Sequence, residues 1–192
     1  MPTRLSNTTV EIGGILAPLF YVSPLQINAQ VPVELSGTTA SLIVRNGVSS
    51  SEPVLLSVGS VGPGIFSQNW SGTGPGVITH PGSELLVSEA LPARAGEFVQ
   101  IFATGLGPIE PLVPPSGQPA PLQPLSRTTQ PVEVFMNGVP APRTDFDFAG
   151  LAPKQVGVYQ VNAQVPAGVS GTVFVVLQVN GWSSNFVTME VR

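Results

Sequence analysis

The chain has 192 residues and a formal net charge of −4, with only 7 basic residues, and this balance provides no basic surface for nucleic acid or acidic membranes. It contains no cysteine, which excludes disulfides, thiol catalysis and cysteine-based zinc sites. No apolar run approaches the roughly 18 residues of a membrane-spanning helix, and the first residues lack the apolar segment of a signal peptide.

Short runs of Val, Ile, Leu and Phe alternate with chain-breaking residues along the whole sequence. Glycine and proline contribute 21 residues each, while 42% of the residues are apolar. Prolines interrupt most windows in which a helical spacing could arise. The pattern is typical of a folded, turn-rich, all-β protein.

The first predicted module occupies residues 1–58. Residues 26–32 (QINAQVP) alternate apolar and polar side chains as a half-buried strand does, and Pro32 ends this strand because proline cannot donate to a ladder. Residues 46–50 (NGVSS) then place an Asn-Gly turn before a last strand at residues 53–58.

A connector rich in Gly, Ser and Pro follows at residues 59–92. It carries short apolar pieces around Ile65, Ile78 and Leu85, and these pieces need a surface to cover. We therefore expect a hairpin-bearing connector rather than a free linker.

The second predicted module, residues 93–192, begins with a strand that has no counterpart in the first. Residues 98–104 (FVQIFAT) lead into a glycine turn at residues 105–107, which Pro108 follows. No helical pattern comes after this turn, so a tight β turn is indicated rather than a phosphate-binding loop. A proline-rich loop at residues 111–124 continues from there.

The rest of the second module repeats the first. Residues 160–166 (QVNAQVP) match residues 26–32, a shift of 134 (160 − 26), and the same shift aligns residues 180–184 (NGWSS) with residues 46–50. The repeat predicts two tandem immunoglobulin-like β-sandwich modules, of which the first lacks its N-terminal strands.

This missing strand predicts an open sheet edge in the first module. Unpaired N–H and C=O groups at such an edge pair readily with another strand. We therefore expect the chain to be a fragment of a larger exported protein, with neighbouring domains or a second copy as partners through the open edge.

Several pieces of the chain together resemble an uncharacterised family of β-repeat domains from very large exported proteins of soil acidobacteria. The pieces are residues 17–24, 26–32, 63–66, 102–108, 148–153 and 157–162. The start of each module is also similar to the immunoglobulin-like IPT/TIG fold. The resemblance implies an extracellular or cell-surface address and an immunoglobulin-like fold, and it implies no activity.

Acid–base chemistry has few candidates in this sequence. His80 is the only histidine and precedes Pro81-Gly82, which indicates an exposed turn. Asp145 and Asp147 are a weak candidate for a calcium site, because the side chains of alternate residues in an extended segment point to the same side. For these two residues, the sequence favours a solvated loop over a calcium site. For the chain as a whole, we expect no cofactor and no enzyme activity.

Amides and aromatic side chains are the remaining candidates. The polar faces of residues 26–30 and 160–164 could bind sugar hydroxyls, although their presence in both copies favours a structural role. Stacking platforms for a sugar would come from the four candidates Trp182, Trp70, Tyr21 and Tyr159.

The sequence therefore predicts a non-catalytic extracellular structural or adhesion module. The alternative is a carbohydrate-binding module that uses exposed aromatics and amides, with polysaccharide as the partner. Neither nucleic-acid binding nor membrane insertion is expected.

Overall fold

The chain is all-β. The computed structural model describes residues 1–145 and 147–192, and within them the regular secondary structure consists of strands. The predicted fold class of β-sandwich modules in tandem is thereby confirmed. In the part of the chain that is described, no helix has the length and apolarity needed to cross a membrane. The strands divide between two compact units.

The first unit comprises Met1–Ser60, Leu112–Pro124 and Pro153–Gly157. Its strands are β1 (Thr8–Ile12), β2 (Ile15–Leu16), β3 (Leu19–Val22), β4 (Ile27–Ala29), β5 (Thr39–Asn46), β6 (Ser49–Ser50) and β7 (Val54–Ser57). One antiparallel sheet has the order β2-β1-β5-β6, with β7 also paired to β5, and a second sheet contains β3 and β4. The buried members of its small core are Val10, Ile12, Ala17, Leu19 and Ala40.

The proline-rich stretch 112–124 belongs to this first unit. The Ser116 main-chain N–H and hydroxyl donate to the Glu34 carboxylate at 3.0 and 2.6 Å. The Gly117 N–H donates to Gln30 Oε1 at 2.8 Å, and the Met1 amino group donates to the Gly117 carbonyl at 2.6 Å. A segment predicted as a loop of the second module therefore completes the first unit.

The second unit comprises Val61–Pro111, Leu125–Ala152 and Val158–Arg192. Its strands are β8 (Gly64–Ile65), β9 (Ile78–Thr79), β10 (Phe98–Thr104), β11 (Ile109–Glu110), β12 (Arg127–Thr128), β13 (Val132–Met136), β14 (Val139–Pro140), β15 (Phe148–Leu151), β16 (Tyr159–Gln164), β17 (Gly171–Val179), β18 (Trp182–Ser183) and β19 (Val187–Val191). One sheet has the order β11-β12-β15-β16-β10-β8, with β9 on β10. The other has the order β14-β13-β17-β18, with β19 on β17.

A continuous apolar core lies between these two sheets. β17 alternates, so that Val173, Val175 and Leu177 are fully buried, and β10 contributes Val99 and Ile101 from the facing sheet. Complete burial of one such side chain stabilises the fold by about 1.5–3 kcal/mol. The alternation of side chains along each strand thus places the apolar residues between the two sheets of one sandwich.

The predicted connector is an integral part of this second unit. β8 and β9 both pair antiparallel with β10, and Ile78 and Val87 lie in the core. The apolar pieces cover a surface, as their composition indicates. The residue limits of the two compact units therefore differ from the predicted boundaries 1–58, 59–92 and 93–192.

The two copies of the repeat differ in register by one residue at the hairpin. The turn is formed by residues 180–181 in the second copy and by residues 47–48 in the first, so the Asn-Gly pairs do not superpose. Asn-Gly follows the buried Val179 in the second copy and the exposed Arg45 in the first. Because a charged residue cannot take the inward position, the inward residue of β5 is Val44 instead.

Candidate binding surfaces

Both tryptophans project from turns of the second unit. The Trp70 side chain is 80% exposed, and its residue has a φ of 62° in a turn where its N–H donates to the Ser67 carbonyl at 3.1 Å. Trp182 begins β18 directly after the hairpin turn and is 65% exposed. Each ring presents a face to which a ligand could bind.

The two tyrosines have different surroundings. Tyr21 lies on β3 of the first unit and is 49% exposed. The Tyr159 hydroxyl donates to the Gly107 carbonyl at 2.5 Å, and burial raises the pKa of this phenol above 10.0. Tyr159 therefore fastens the glycine turn after β10, and its hydroxyl is engaged.

An aromatic face that the sequence analysis missed lies on the outer side of the second unit. Phe174 and Phe186 are about half exposed and pack edge to face, with ring centroids 5.7 Å apart. Next to them Val176 pairs directly with Phe135 on β13. The sequence did contain a signal for this aromatic face, because β17 carries apolar residues on both of its faces.

The amide ladders are braced within themselves. Gln26 Nε2 donates to Asn28 Oδ1 at 2.7 Å, and in the second copy Gln160 Nε2 donates to Asn162 Oδ1 at 2.8 Å. The same hydrogen bond in both copies indicates a shared structural role, as the repetition favoured.

His80 lies at a turn, but its ring is mostly buried, which corrects the expectation of an exposed residue. Nδ1 lies 2.5 Å from Glu97 Oε1, and Nε2 lies 3.2 Å from the Leu91 carbonyl. The other Glu97 oxygen accepts the Arg94 N–H at 2.9 Å. This small network ties the turn that contains His80 to the start of β10.

Asp145 and Asp147, the two residues of the calcium hypothesis, flank position 146, which lies outside the described residues. Asp145 lies in a turn, and the Asp147 carboxylate accepts hydrogen bonds from the Thr144 N–H at 3.0 Å and hydroxyl at 2.8 Å. Glu133 Oε1 lies 3.9 Å from the Arg143 guanidinium. Among residues 1–145 and 147–192, no group of three His, Asp or Glu side chains could hold a metal ion.

A shallow cleft of about 220 Å³ opens beside β13 and β15. The Arg127 guanidinium lies over the Phe148 ring, 5.0 Å from its centroid, and Arg143 is paired with Glu133. Ligand pockets usually exceed about 300 Å³ and converge several polar groups on the ligand. Since both arginines are engaged, the cleft is a poor ligand pocket.

Asn185 is a further polar residue that the sequence analysis missed. Its Oδ1 accepts the Ile65 N–H at 2.7 Å, and its Nδ2 donates to the carbonyls of Ile65 and Gly72 at 3.0 and 2.6 Å. The Asn185 side chain thus holds Ile65 and Gly72, two residues of the predicted connector, against the sandwich.

No protein-family model matches this chain, and no curated protein matches it significantly. One solved structure with similarity is a crystal structure of domains 4 and 5 of the S-layer protein SbsC. The match has 13% sequence identity and a TM-score of 0.23, and it covers 96% of this chain and 76% of the chain in that structure.

Proposed function

We propose that the chain is a non-catalytic structural or adhesion module that acts outside the cell. The observation that carries this proposal is the bracing of the second unit's loops by its scarce polar side chains. Asn185 fixes the stretch from Ile65 to Gly72, and His80 with Glu97 fixes the next turn. A sandwich whose loops are fixed in this way keeps a set distance between its ends. The extracellular address follows the resemblance to exported β-repeat proteins.

Hydrogen exchange tests the rigidity that this function requires. The amides of Ile65 and Val87 in the former connector should exchange as slowly as those of β17, because all would open only with the whole unit. Fast exchange in the connector would contradict a rigid module. Turnover of glycoside, ester or peptide substrates by the purified chain would contradict the non-catalytic assignment.

Carbohydrate binding is the second candidate, supported by the exposure of Trp70 and Trp182. Truncation of a ring on which a sugar stacks removes most of the stacking contact. We expect Trp182→Ala or Trp70→Ala to weaken any polysaccharide signal on a glycan array by about tenfold. Leu85→Ala, which removes another exposed side chain of the same unit, is the matched control. Silence of the wild-type chain across the array would remove this candidate.

A further inference from the structure

The β4 strand of the first unit is a near-copy of β16 in the second. Both lie in the heptapeptides QINAQVP and QVNAQVP, and both carry the same amide–amide hydrogen bond. β16 is paired on both sides, with β15 and with β10. β4 pairs with β3 alone among the described residues.

The unpaired side of β4 can be assigned from its hydrogen bonds. The Gln30 N–H donates to the Pro18 carbonyl at 2.9 Å, and the Gln26 carbonyl accepts the Ser23 N–H at 2.8 Å, both on the β3 side. Because main-chain groups alternate along an antiparallel strand, those of Ile27 and Ala29 point to the opposite side. That side is where β10 lies in the second unit.

Side-chain burial differs accordingly between the twin strands. Val161 and Ala163 of β16 are each 3% exposed, whereas the corresponding Ile27 and Ala29 are only partly buried. Leu25 corresponds to Tyr159 and is 98% exposed, although it is a large apolar residue. The first unit therefore presents both an open ladder and a partly uncovered apolar strip, which consists of Leu25, Ile27 and Ala29.

From these observations we infer that β4 accepts an extended peptide strand with the sequence chemistry of β10. Such a strand alternates apolar residues with the spacing of Val99, Ile101 and Ala103, which are all fully buried against β16. In the second-unit register, Val99 pairs with Ala163 and Ile101 with Val161. The incoming strand would place the same two positions opposite Ala29 and Ile27, and it would cover the apolar strip.

The register limits how far this pairing extends. Segment 112–124 already contacts the end of β4, where the Gly117 N–H donates to Gln30 Oε1. At the other end, the Leu25 N–H already donates to Ser23 Oγ at 3.3 Å, so we expect new main-chain pairing at Ile27 and Ala29. The inference concerns strand addition, and it holds whether the chain is a spacer or a carbohydrate binder.

A peptide of residues 96–107 (GEFVQIFATGLG), with flanking lysines for solubility, tests this directly on the wild-type chain. We expect saturable binding by fluorescence anisotropy and slower amide exchange at Ile27 and Ala29. No binding at millimolar peptide, or binding without protection of these amides, would overturn the inference.

The control peptide is N-methylated at Val99 and Ile101, so that it keeps every side chain but loses the donors aimed at β4. It should bind at least about tenfold more weakly, since two hydrogen bonds are lost. Equal binding of the two peptides would show that the strip is covered without strand addition. Self-association of the chain that Ala29→Pro abolishes would identify a second copy, not a β10-like strand, as the occupant.

Discussion

Val31 and Val165 occupy the same place in the two copies of the repeat, directly before the proline that ends the strand. Val165 is 1% exposed, whereas Val31 is 57% exposed. The difference does not come from the local sequence, because QINAQVP and QVNAQVP differ in one residue. It comes from β10, which pairs with β16 and has no counterpart beside β4 within residues 1–145 and 147–192.

The local sequence thus determines where the strand forms, and pairing with β10 determines whether the apolar side chains of that strand are buried. In the second unit β10 also carries β8 and β9, which bring Ile65 and Ile78 into the core. The first unit instead has the stretch 112–124, held mainly by polar contacts through Glu34 and Gln30. Since burial of apolar surface dominates stability, we expect the second unit to be the more stable.

Disturbing the end of β10 should have the largest effect on this difference. A Cβ at Gly105, which has a φ of 70°, would overlap the Gly62 carbonyl oxygen. We expect Gly105→Ala to cost about 3 kcal/mol or more of unfolding free energy. Denaturant unfolding followed by tryptophan fluorescence measures it, because Trp70 and Trp182 both belong to the second unit.

The control for Gly105→Ala is Gly96→Ala at the other end of β10. Gly96 has a φ of 82°, but a Cβ there would lie in open space. Only the conformational cost of about 1–2 kcal/mol should apply. Equal losses for the two variants would show that the close approach of Gly105 to Gly62 does not matter for stability.

The two valines provide the direct comparison of the units. Val165→Ala removes buried methyl groups and should cost about 2 kcal/mol, from lost transfer free energy and the cavity left behind. Val31→Ala removes mostly exposed groups and should change stability by less than about 0.5 kcal/mol. Amide exchange of each unit reports both losses. A comparable loss at Val31 would contradict the open core of the first unit.

Asn185 and Glu52, which is its counterpart once the one-residue register change at the hairpin is included, show how the two units hold the segments that follow. Asn185→Ala leaves the Ile65 and Gly72 main-chain groups without their partner and should cost about 1–2 kcal/mol. Glu52→Ala, at an exposed position, should be close to neutral. The Ile65 amide should exchange faster only in the Asn185 variant, and unchanged exchange would mean that other contacts hold this segment.

Features with a local cause could be predicted from the sequence. The alternation in residues 160–165 indicates strand β16 through side-chain direction, and the Asn-Gly turn at 180–181 indicates the hairpin of β17 and β18 through positive φ. The exposure of Trp182 follows from its place beside that turn.

Features that depend on distant contacts could not be predicted. The stretch 112–124 reads as a proline-rich loop, and only the folded chain brings Ser116 to Glu34, 82 residues away. The burial of the His80 ring depends in the same way on Glu97 and the Leu91 carbonyl. Arg45 did give a local sign of the one-residue register change, but the repeated Asn-Gly pair concealed it.

The smallest expected effect concerns pH and the polar closure of the first unit. Hydrogen bonds from the Ser116 hydroxyl and then its N–H hold the pKa of Glu34 below 4.5. Because the folded pKa is lowered, this contribution is present above pH 4.5 and is lost as the pH falls through the folded value. The carboxylate is largely solvated, so the loss should be slight and confined to the contact between Glu34 and Ser116. The chemical shift of the Ser116 amide should therefore titrate below pH 4.5 in the wild type and stay flat in Glu34→Gln. The same titration in both proteins would show that another group holds the stretch 112–124 on the first unit.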